Sequence, residues 1–193
     1  MVTRDHMDLG SSICDLDGVG SAHHFHSRNV DPRALREVDD PYTPEILWPN
    51  FHSGANGDFQ AIKVIEPPHA VVINPKSPSG LIRFLPAHPH EGAVSAPTGH
   101  DARVIAVGTS RTTGRPFNIA VAFESTNGVG RAIAQSTFHH FADYNWNPAM
   151  GCPSFVTEPP GTGLSTDAAA MADAKAYAAN VALWLSHWSP DGR

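Results

Sequence analysis

A short apolar run that ends abruptly in ionisable residues is the feature that most constrains how this chain can fold. Ala132–Ala134 is followed by polar residues, and His139, His140, Asp143 and Asn145 come soon after. Such a pattern is typical of a buried strand that carries polar groups to the open edge of a sheet. In open α/β sheets, ligands bind outside the carboxyl ends of the strands. The sequence therefore predicts an α/β fold with a candidate site at this strand end.

Further strands are predicted where runs rich in β-branched and aromatic residues stand between turn signals. Arg103–Val107, Phe117–Phe123 and Leu81–Leu85 are such runs, and Ala70–Ile73 is another β-branched run. The segment His88–Glu91 lies just beyond Leu81–Leu85. A second strand end therefore also carries ionisable residues, and we expect both ends to converge on one pocket.

The clearest helix is predicted from Asp167 onward. Apolar residues recur there at steps of three and four, which is the period of one helix face. These residues are Met171, Ala174, Ala178, Val181 and Leu185. Ser165, Thr166 or Asp167 is a suitable N-cap, and Tyr177 and Trp184 widen the face that packs on the sheet.

Composition excludes several classes of protein. The 193 residues are 41% hydrophobic and 17% charged, which indicates one globular domain, residues 1–193. A formal net charge of −6 without a basic face argues against nucleic acid as the main partner. Because we find no run of membrane-spanning length and no signal-peptide segment, we expect a cytoplasmic protein with no membrane partner. The first part, residues 1–57, is loop-rich.

Four clusters of ionisable residues compete as the site of chemistry. They are His23, His24 and His26; His52 with Asp58; His88, His90 and Glu91; and His139, His140 and Asp143. The first cluster, with Asp58 and Asp143, is predicted to bind substrate. Each of these groups also has a structural interpretation, as solvated loop or as a turn cap.

An acid–base site needs the fewest assumptions. Glu91 is predicted to act as acid or base, with His139 or His140 as the complementary group, and His90 as a further catalytic residue. In an extended segment His139 and His140 point to opposite sides, so only one should reach the site. The other is then a buried structural histidine. Asp143 either orients the functional histidine or caps the next turn.

A divalent metal is the alternative. In an extended segment His88 and His90 point the same way and could chelate one ion, with His139 or His24 as a third ligand. The spacing matches no zinc signature. A proline-bearing loop whose histidines only hydrogen-bond the backbone is the structural alternative.

The order of these elements resembles the ThuA-like family of the class I glutamine amidotransferase-like superfamily. The resemblance rests on four segments within residues 58–187. They are Glu66–His69, Phe84–Glu91, Gly130–Ala134 continuing to His140, and the closing segment Lys175–Leu185. It implies a partial flavodoxin-like sheet with long loops and a C-terminal helix. It also implies acid–base or metal-assisted hydrolysis or elimination on a small carbohydrate-type substrate.

The chain departs from that family at its start. Residues 1–6 resemble the segment just after the strand end where related amidotransferases keep their nucleophile, so the N-terminal strand–helix units are expected to be missing. No Gly-x-Ser-x-Gly or Gly-x-Cys-x-Gly elbow is present. The open alternatives are a metal-dependent hydrolase of esters, lactones or amides, and a non-catalytic ligand-binding or assembly module. An incomplete sheet favours a homo-oligomer that completes it.

Overall fold

The computed structural model describes residues 53–88, 91, 93–94, 96, 101–111, 114, 116–125, 130–151 and 159–186, with the backbone of residues 2–3 and 24–25. Within this part the chain has the predicted mixed α/β composition, with sheets and one long helix in its C-terminal part. Over the same residues, no helix combines the length and the apolar content needed to cross a membrane.

Nine strands and three α-helices lie in these ranges. The strands are β1 (Val2–Thr3), β2 (His24–Phe25), β3 (Phe59–Ala61), β4 (Lys63–Val64), β5 (Phe84–Pro86), β6 (Ala93–Val94), β7 (Ala102–Thr109), β8 (Pro116–Phe123) and β9 (Ala132–Gln135). The helices are α1 (Asp143–Trp146), α2 (Gly163–Thr166) and α3 (Ala168–Ser186). The predicted strands at 103–107, 117–123 and 132–134 are confirmed as β7, β8 and β9.

The largest sheet has the order β1-β9-β8-β7-β4. β1 runs parallel to β9, and the other three pairings are antiparallel. Two small antiparallel sheets, β2-β6 and β3-β5, accompany it. Doubly wound flavodoxin-like sheets are mostly parallel, so the described sheet agrees with the predicted class at the α/β level only.

The core lies against β8. Its residues Ile119–Ala122 are all buried, and since successive strand side chains alternate between faces, the strand is covered on both sides. One apolar cluster joins β8 to Tyr177, Val181 and Trp184 of α3. A smaller cluster joins Val121 of β8 to β6 and β9.

Helix α3 begins after Asp167, one of the predicted caps. The Asp167 carboxylate accepts hydrogen bonds from the backbone N–H groups of Ala169 and Ala170, both at 2.9 Å. Such a cap satisfies donors that have no partner within the helix. The buried residues of the helix are Ala170, Asp173, Ala174, Tyr177, Val181 and Trp184.

The predicted apolar face of α3 is confirmed in part, because Ala174 and Val181 are buried, as are Tyr177 and Trp184, which were expected to widen it. Met171, Ala178 and Leu185 are only partly buried, and the buried face is turned toward Asp173 and Tyr177. Asp173 explains this rotation because its carboxylate accepts from Asn74 Nδ2 at 2.6 Å and from the Arg83 backbone N–H at 2.9 Å. A buried carboxylate needs such partners, so these bonds fix which side of the helix faces inward.

Two segments expected to be extended are 3₁₀ helices instead. His139 and His140 lie in the 3₁₀ helix Phe138–Phe141, whose first turn is capped by the Thr137 side chain. The run Ala70–Ile73 contains the 3₁₀ helix Ala70–Val72, capped by the His69 side chain. In both cases a side-chain acceptor just before the segment binds a backbone N–H and starts a turn, which overrides the β-branched or aromatic composition.

Candidate acid–base site

Glu91 is a fully buried carboxylate at the centre of the described site, with 0% of its surface exposed. Gln60 Nε2 donates to its Oε2 at 2.5 Å, and Ser136 Oγ donates to its Oε1 at 2.6 Å. His140 Nε2 lies 3.0 Å from the same Oε1. Polar side chains from two segments far from Glu91 in the sequence therefore converge on one buried acid.

The pKa of Glu91 is lowered from its ordinary value of 4.5. Burial is the largest influence and by itself raises this pKa, because it disfavours the charged form. The charge of His140 and hydrogen bonds from His140, Ser136 and Ser53 act in the opposite direction and outweigh it. Glu91 is consequently held as a carboxylate.

His140 is the partner of Glu91, and only 1% of its surface is exposed. Its Nε2 faces Glu91, while its Nδ1 lies 3.0 Å from Gln135 Oε1. Its backbone carbonyl accepts from Trp146 Nε1 at 2.7 Å. The ring is therefore held at both nitrogens, and the local backbone is held by α1.

A further buried contact extends this array to helix α3. Gln135 Nε2 lies 2.5 Å from the Tyr177 hydroxyl, so the array runs from Tyr177 through Gln135 and His140 to Glu91. Burial raises the pKa of Tyr177, which keeps its hydroxyl protonated. Three elements contribute: the end of β9, the 3₁₀ helix that follows it, and α3.

The two strand ends singled out in the sequence do meet. β5 ends at Pro86 and leads through His88 to Glu91, while β9 ends at Gln135 and leads to His140. The Glu91–His140 contact joins them. The catalytic role of these residues stays a prediction, but their proximity is a property of the fold.

His139 takes a different position from His140, although both are buried. Its ring stacks on that of His88, with 3.5 Å between ring centroids and 14° between ring planes. Its Nδ1 lies 2.9 Å from Thr137 Oγ1. His88 and His139 keep 6% and 7% of their surface exposed, so they are less enclosed than the Glu91–His140 pair.

This stacked geometry bears on the metal hypothesis. A ligating imidazole places the metal close to its own ring plane, and two nearly parallel stacked planes share no such point. In this arrangement His88 and His139 do not converge on one ion. Across the described ranges, no group of three or more His, Cys, Asp or Glu residues is arranged to hold a metal. His90 lies outside those ranges, so the pair His88 and His90 stays a predicted ligand pair.

Asn145 links the surrounding loops. Its side-chain Nδ2 donates to the backbone carbonyls of Ala87 and His139, at 2.9 and 3.1 Å. Its Oδ1 accepts from the Gly57 backbone N–H at 3.2 Å. A fully buried amide with these three partners fixes the segments before Glu91 and before His140 relative to each other.

The other predicted site residues have separate locations. Asp58 Oδ1 accepts from the Gly163 backbone N–H at 3.1 Å, so Asp58 holds the start of α2. Its Oδ2 lies 4.0 Å from Arg111 Nη1. Asp143 accepts from the Tyr144 backbone N–H at 2.7 Å, but it is the first residue of α1, whose N-cap Ala142 makes no side-chain cap hydrogen bond, so both predicted roles of Asp143 stay predictions. The backbone of His24 pairs with Val94, close in sequence to Glu91. His23, His26 and His90 lie outside the described residues, as does His52.

Sequence reasoning missed four polar residues of the site. Gln60 and Ser136 donate to Glu91, Gln135 contacts His140, and Tyr177 contacts Gln135. Gln135 and Ser136 directly follow the apolar run of β9, so their position alone was a usable signal. Tyr177 was assigned to the core, which is correct for its ring, but its hydroxyl also has a polar partner. Buried tyrosines generally find one.

A second His–Glu pair gives an internal comparison. His69 Nε2 lies 3.0 Å from Glu124 Oε1, the same distance as in the Glu91–His140 pair, but the Glu124 side chain is 38% exposed. Burial is the largest influence on the pKa of His69 and lowers it, with the Glu124 hydrogen bond acting in the opposite direction. His69 also packs edge-on against Trp184 and caps a 3₁₀ helix, which are structural roles.

Comparison of the chain with protein-family models, with curated proteins and with solved structures gave no match.

Proposed function

We propose that this chain is an acid–base enzyme acting on a small polar molecule, with Glu91 and His140 as its proton-transfer pair. The observation that carries the proposal is the buried carboxylate of Glu91, which lies 3.0 Å from His140 and is held by two further donors. Buried, preorganised acid–base pairs with a shifted pKa are characteristic of functional sites.

The two residues have different roles in this proposal. A lowered pKa makes Glu91 a poor proton acceptor near neutral pH, so it serves as the fixed carboxylate that orients and stabilises a charged imidazole. His140 is the group that exchanges a proton with substrate, as histidine does most often in enzymes. Because both ring nitrogens have partners, one of these hydrogen bonds must open when substrate binds. His88 and His139, which are slightly exposed, are the proposed substrate-contacting histidines.

The identity of the substrate is proposed from the resemblance alone. A ThuA-like protein with a partial flavodoxin-like sheet would act on a carbohydrate-type molecule by hydrolysis or elimination. The same resemblance supports a homo-oligomer, and the sequence supports a cytoplasmic location. A divalent metal bound by His88 and His90, with hydrolysis of esters, lactones or amides, stays the alternative chemistry.

A non-catalytic module is the second candidate, and one observation favours it. Glu91 and His140 are 0% and 1% exposed, so the pair also fits a purely structural role that fixes the two strand ends. Such a module would bind its ligand through residues other than Glu91 and His140. It would show no turnover in the wild type, and substitution of Glu91 or His140 would lower only its stability.

The experiment is a turnover screen of the purified chain against sugar lactones, aryl glycosides and aryl esters, with and without a chelator. Glu91→Gln and His140→Gln are the test variants, and Glu124→Gln is the matched control because it alters an equally short His–Glu pair elsewhere. We expect about a hundredfold or greater loss in both test variants and little change in the control. Full turnover in a folded His140→Gln protein would eliminate the proposal, and loss of activity with the chelator would support the metal alternative.

A further inference from the structure

His69 is a buried histidine that is held at both ring nitrogens. Its Nδ1 accepts a hydrogen bond from the Val71 backbone N–H at 3.2 Å, and its Nε2 lies 3.0 Å from Glu124 Oε1. The ring also packs edge-on against Trp184 of α3, with 4.9 Å between ring centroids. One side chain thus connects the segment that follows it, the end of β8 and the long helix.

These two partners define one protonation state of the His69 ring. A backbone N–H can only donate, so the Nδ1 that faces Val71 must carry no proton. The proton of the neutral ring is then on Nε2, where the Glu124 carboxylate accepts it. A ring flipped about its bond to Cβ would present carbon atoms to both partners and lose both hydrogen bonds. His69 therefore caps the segment in its neutral form.

The capped segment belongs to the core. Ala70–Val72 forms a 3₁₀ helix, and Val71 and Val72 are both 0% exposed. Asn180 Nδ2 of α3 donates to the Val71 carbonyl at 3.1 Å, and the Ile82 backbone N–H donates to the Val72 carbonyl at 2.8 Å. These bonds hold the carbonyl groups of the segment. The imidazole cap supplies the acceptor for the Val71 N–H.

Protonation of the ring removes this acceptor. An imidazolium carries a proton on both nitrogens, so its Nδ1–H and the Val71 N–H would be two donors that face each other. Because Val71 is buried, its N–H would be left without a partner, which is unfavourable. The charged ring must therefore turn away from the segment, and the turn at Val71 opens.

The surroundings of the ring favour the neutral form. Among the described residues, the charged groups that act on it are Glu124, which follows β8, Arg103 of β7, and Arg131, which precedes β9. Helix α3 contributes the uncharged Trp184. Burial is the largest influence on the pKa of His69 and lowers it from 6.5. Glu124 acts in the opposite direction, and the two arginines lower the pKa further.

We propose that His69 is a pH-sensitive cap: the neutral ring closes the turn at Val71, and protonation opens this turn while α3 and the rest of the core stay in place. The proposal goes beyond the acid–base function because it concerns a different set of residues. Since the pKa of His69 is lowered in the closed form, the stability of the closed turn is fully present above pH 6.5. It is lost as the pH falls from 6.5 toward that lowered pKa. Uptake of one proton on opening makes the open turn about tenfold more populated per pH unit in this window.

The test is hydrogen exchange of single backbone amides, followed by NMR from neutral to mildly acidic pH and corrected for the intrinsic exchange rate at each pH. The Val71 amide reports the cap, and the Ile82 amide reports whether opening stays local. His69→Asn is the matched variant, because asparagine is a good cap whose amide oxygen accepts without titrating. In the wild type we expect the protection of Val71 to fall about tenfold per pH unit below 6.5, with that of Ile82 unchanged. In His69→Asn we expect no such fall at Val71.

Constant protection of Val71 across this pH range in the wild type would overturn the proposal, and that measurement requires no variant. An equal fall in His69→Asn would also overturn it, because the asparagine side chain has no proton to gain. Loss of protection at Val71 and Ile82 together would mean that acid opens the core as a whole, which contradicts a local cap. The result is independent of turnover, so it stands or fails separately from the proposed function.

Discussion

Replacing Glu91 by Gln should destabilise the protein far more than the same change at Glu124. Glu91 is fully buried and accepts hydrogen bonds from Gln60, Ser136 and His140. Glutamine keeps the volume but removes the charge, and it puts an amide donor where donors already converge. Breaking a buried pair by removing one charged partner costs about 3–5 kcal/mol. Hydrogen bonds to charged groups contribute about 1.5–3 kcal/mol each and are not additive, so they predict a loss of stability of the same order.

Glu124 is the matched control for this effect. Its carboxylate lies 3.0 Å from His69, the same distance as Glu91 from His140, but its side chain is 38% exposed. Exposed or partly exposed ion pairs contribute about 0–1 kcal/mol. Because the His–Glu distance is the same in both pairs, the difference between the two losses in free energy of unfolding reports the effect of burial.

Urea-induced unfolding, followed by far-ultraviolet circular dichroism, measures both free energies of unfolding under one set of conditions. We expect a loss of about 3–5 kcal/mol for Glu91→Gln and about 0–1 kcal/mol for Glu124→Gln. Equal small losses in the two variants, with unchanged slopes against urea, would refute the claim that Glu91 is a buried ion-pair partner.

Three further predictions concern stability. Because the pKa of Glu91 is lowered from 4.5, the stability that Glu91 contributes is fully present above about pH 4.5 and is lost as the pH falls through the lower folded-state pKa. In urea unfolding measured at a series of pH values, Glu91→Gln should therefore show a smaller loss of stability on acidification than the wild type. Gly108→Ala places a Cβ 2.8 Å from Gln60 Oε1 and from two core side chains, so thermal unfolding should reveal a loss of about 1–3 kcal/mol. Asp173→Asn replaces one of the two carboxylate oxygens that accept from Asn74 and Arg83 with an amide donor. Chemical denaturation should show about 1–3 kcal/mol less stability, and a neutral result would mean that Asp173 does not fix α3.

The parts of the fold that depend on local periodicity could be predicted from the sequence. β7 and β8 follow from runs rich in β-branched residues, and β9 follows from the short apolar run Ala132–Ala134. The length and cap of α3 follow from its apolar period and Asp167. The convergence of the two strand ends was also predictable, because each strand leads directly into ionisable residues.

The parts that depend on partners far away in the chain could not be predicted in this way. Gln135 and Tyr177 are 42 residues apart, and Glu91 and His140 are 49 apart. No local pattern records which polar groups such distances bring together. The rotation of α3 has the same cause, since Asp173 binds Asn74 across 99 residues. The 3₁₀ helix that holds His139 and His140 depends on one cap, Thr137, which composition does not reveal.

The most direct test of the proposed acid–base pair is a double-mutant comparison of turnover. On the best substrate from the screen, kcat/KM is measured for wild type, Glu91→Gln, His140→Gln and the double variant. Residues that act as one unit are strongly non-additive. We therefore expect each single variant to lose about a hundredfold or more, and the double variant to be no worse than the poorer single one. Losses that multiply, or a folded single variant with wild-type kcat/KM, would contradict the account.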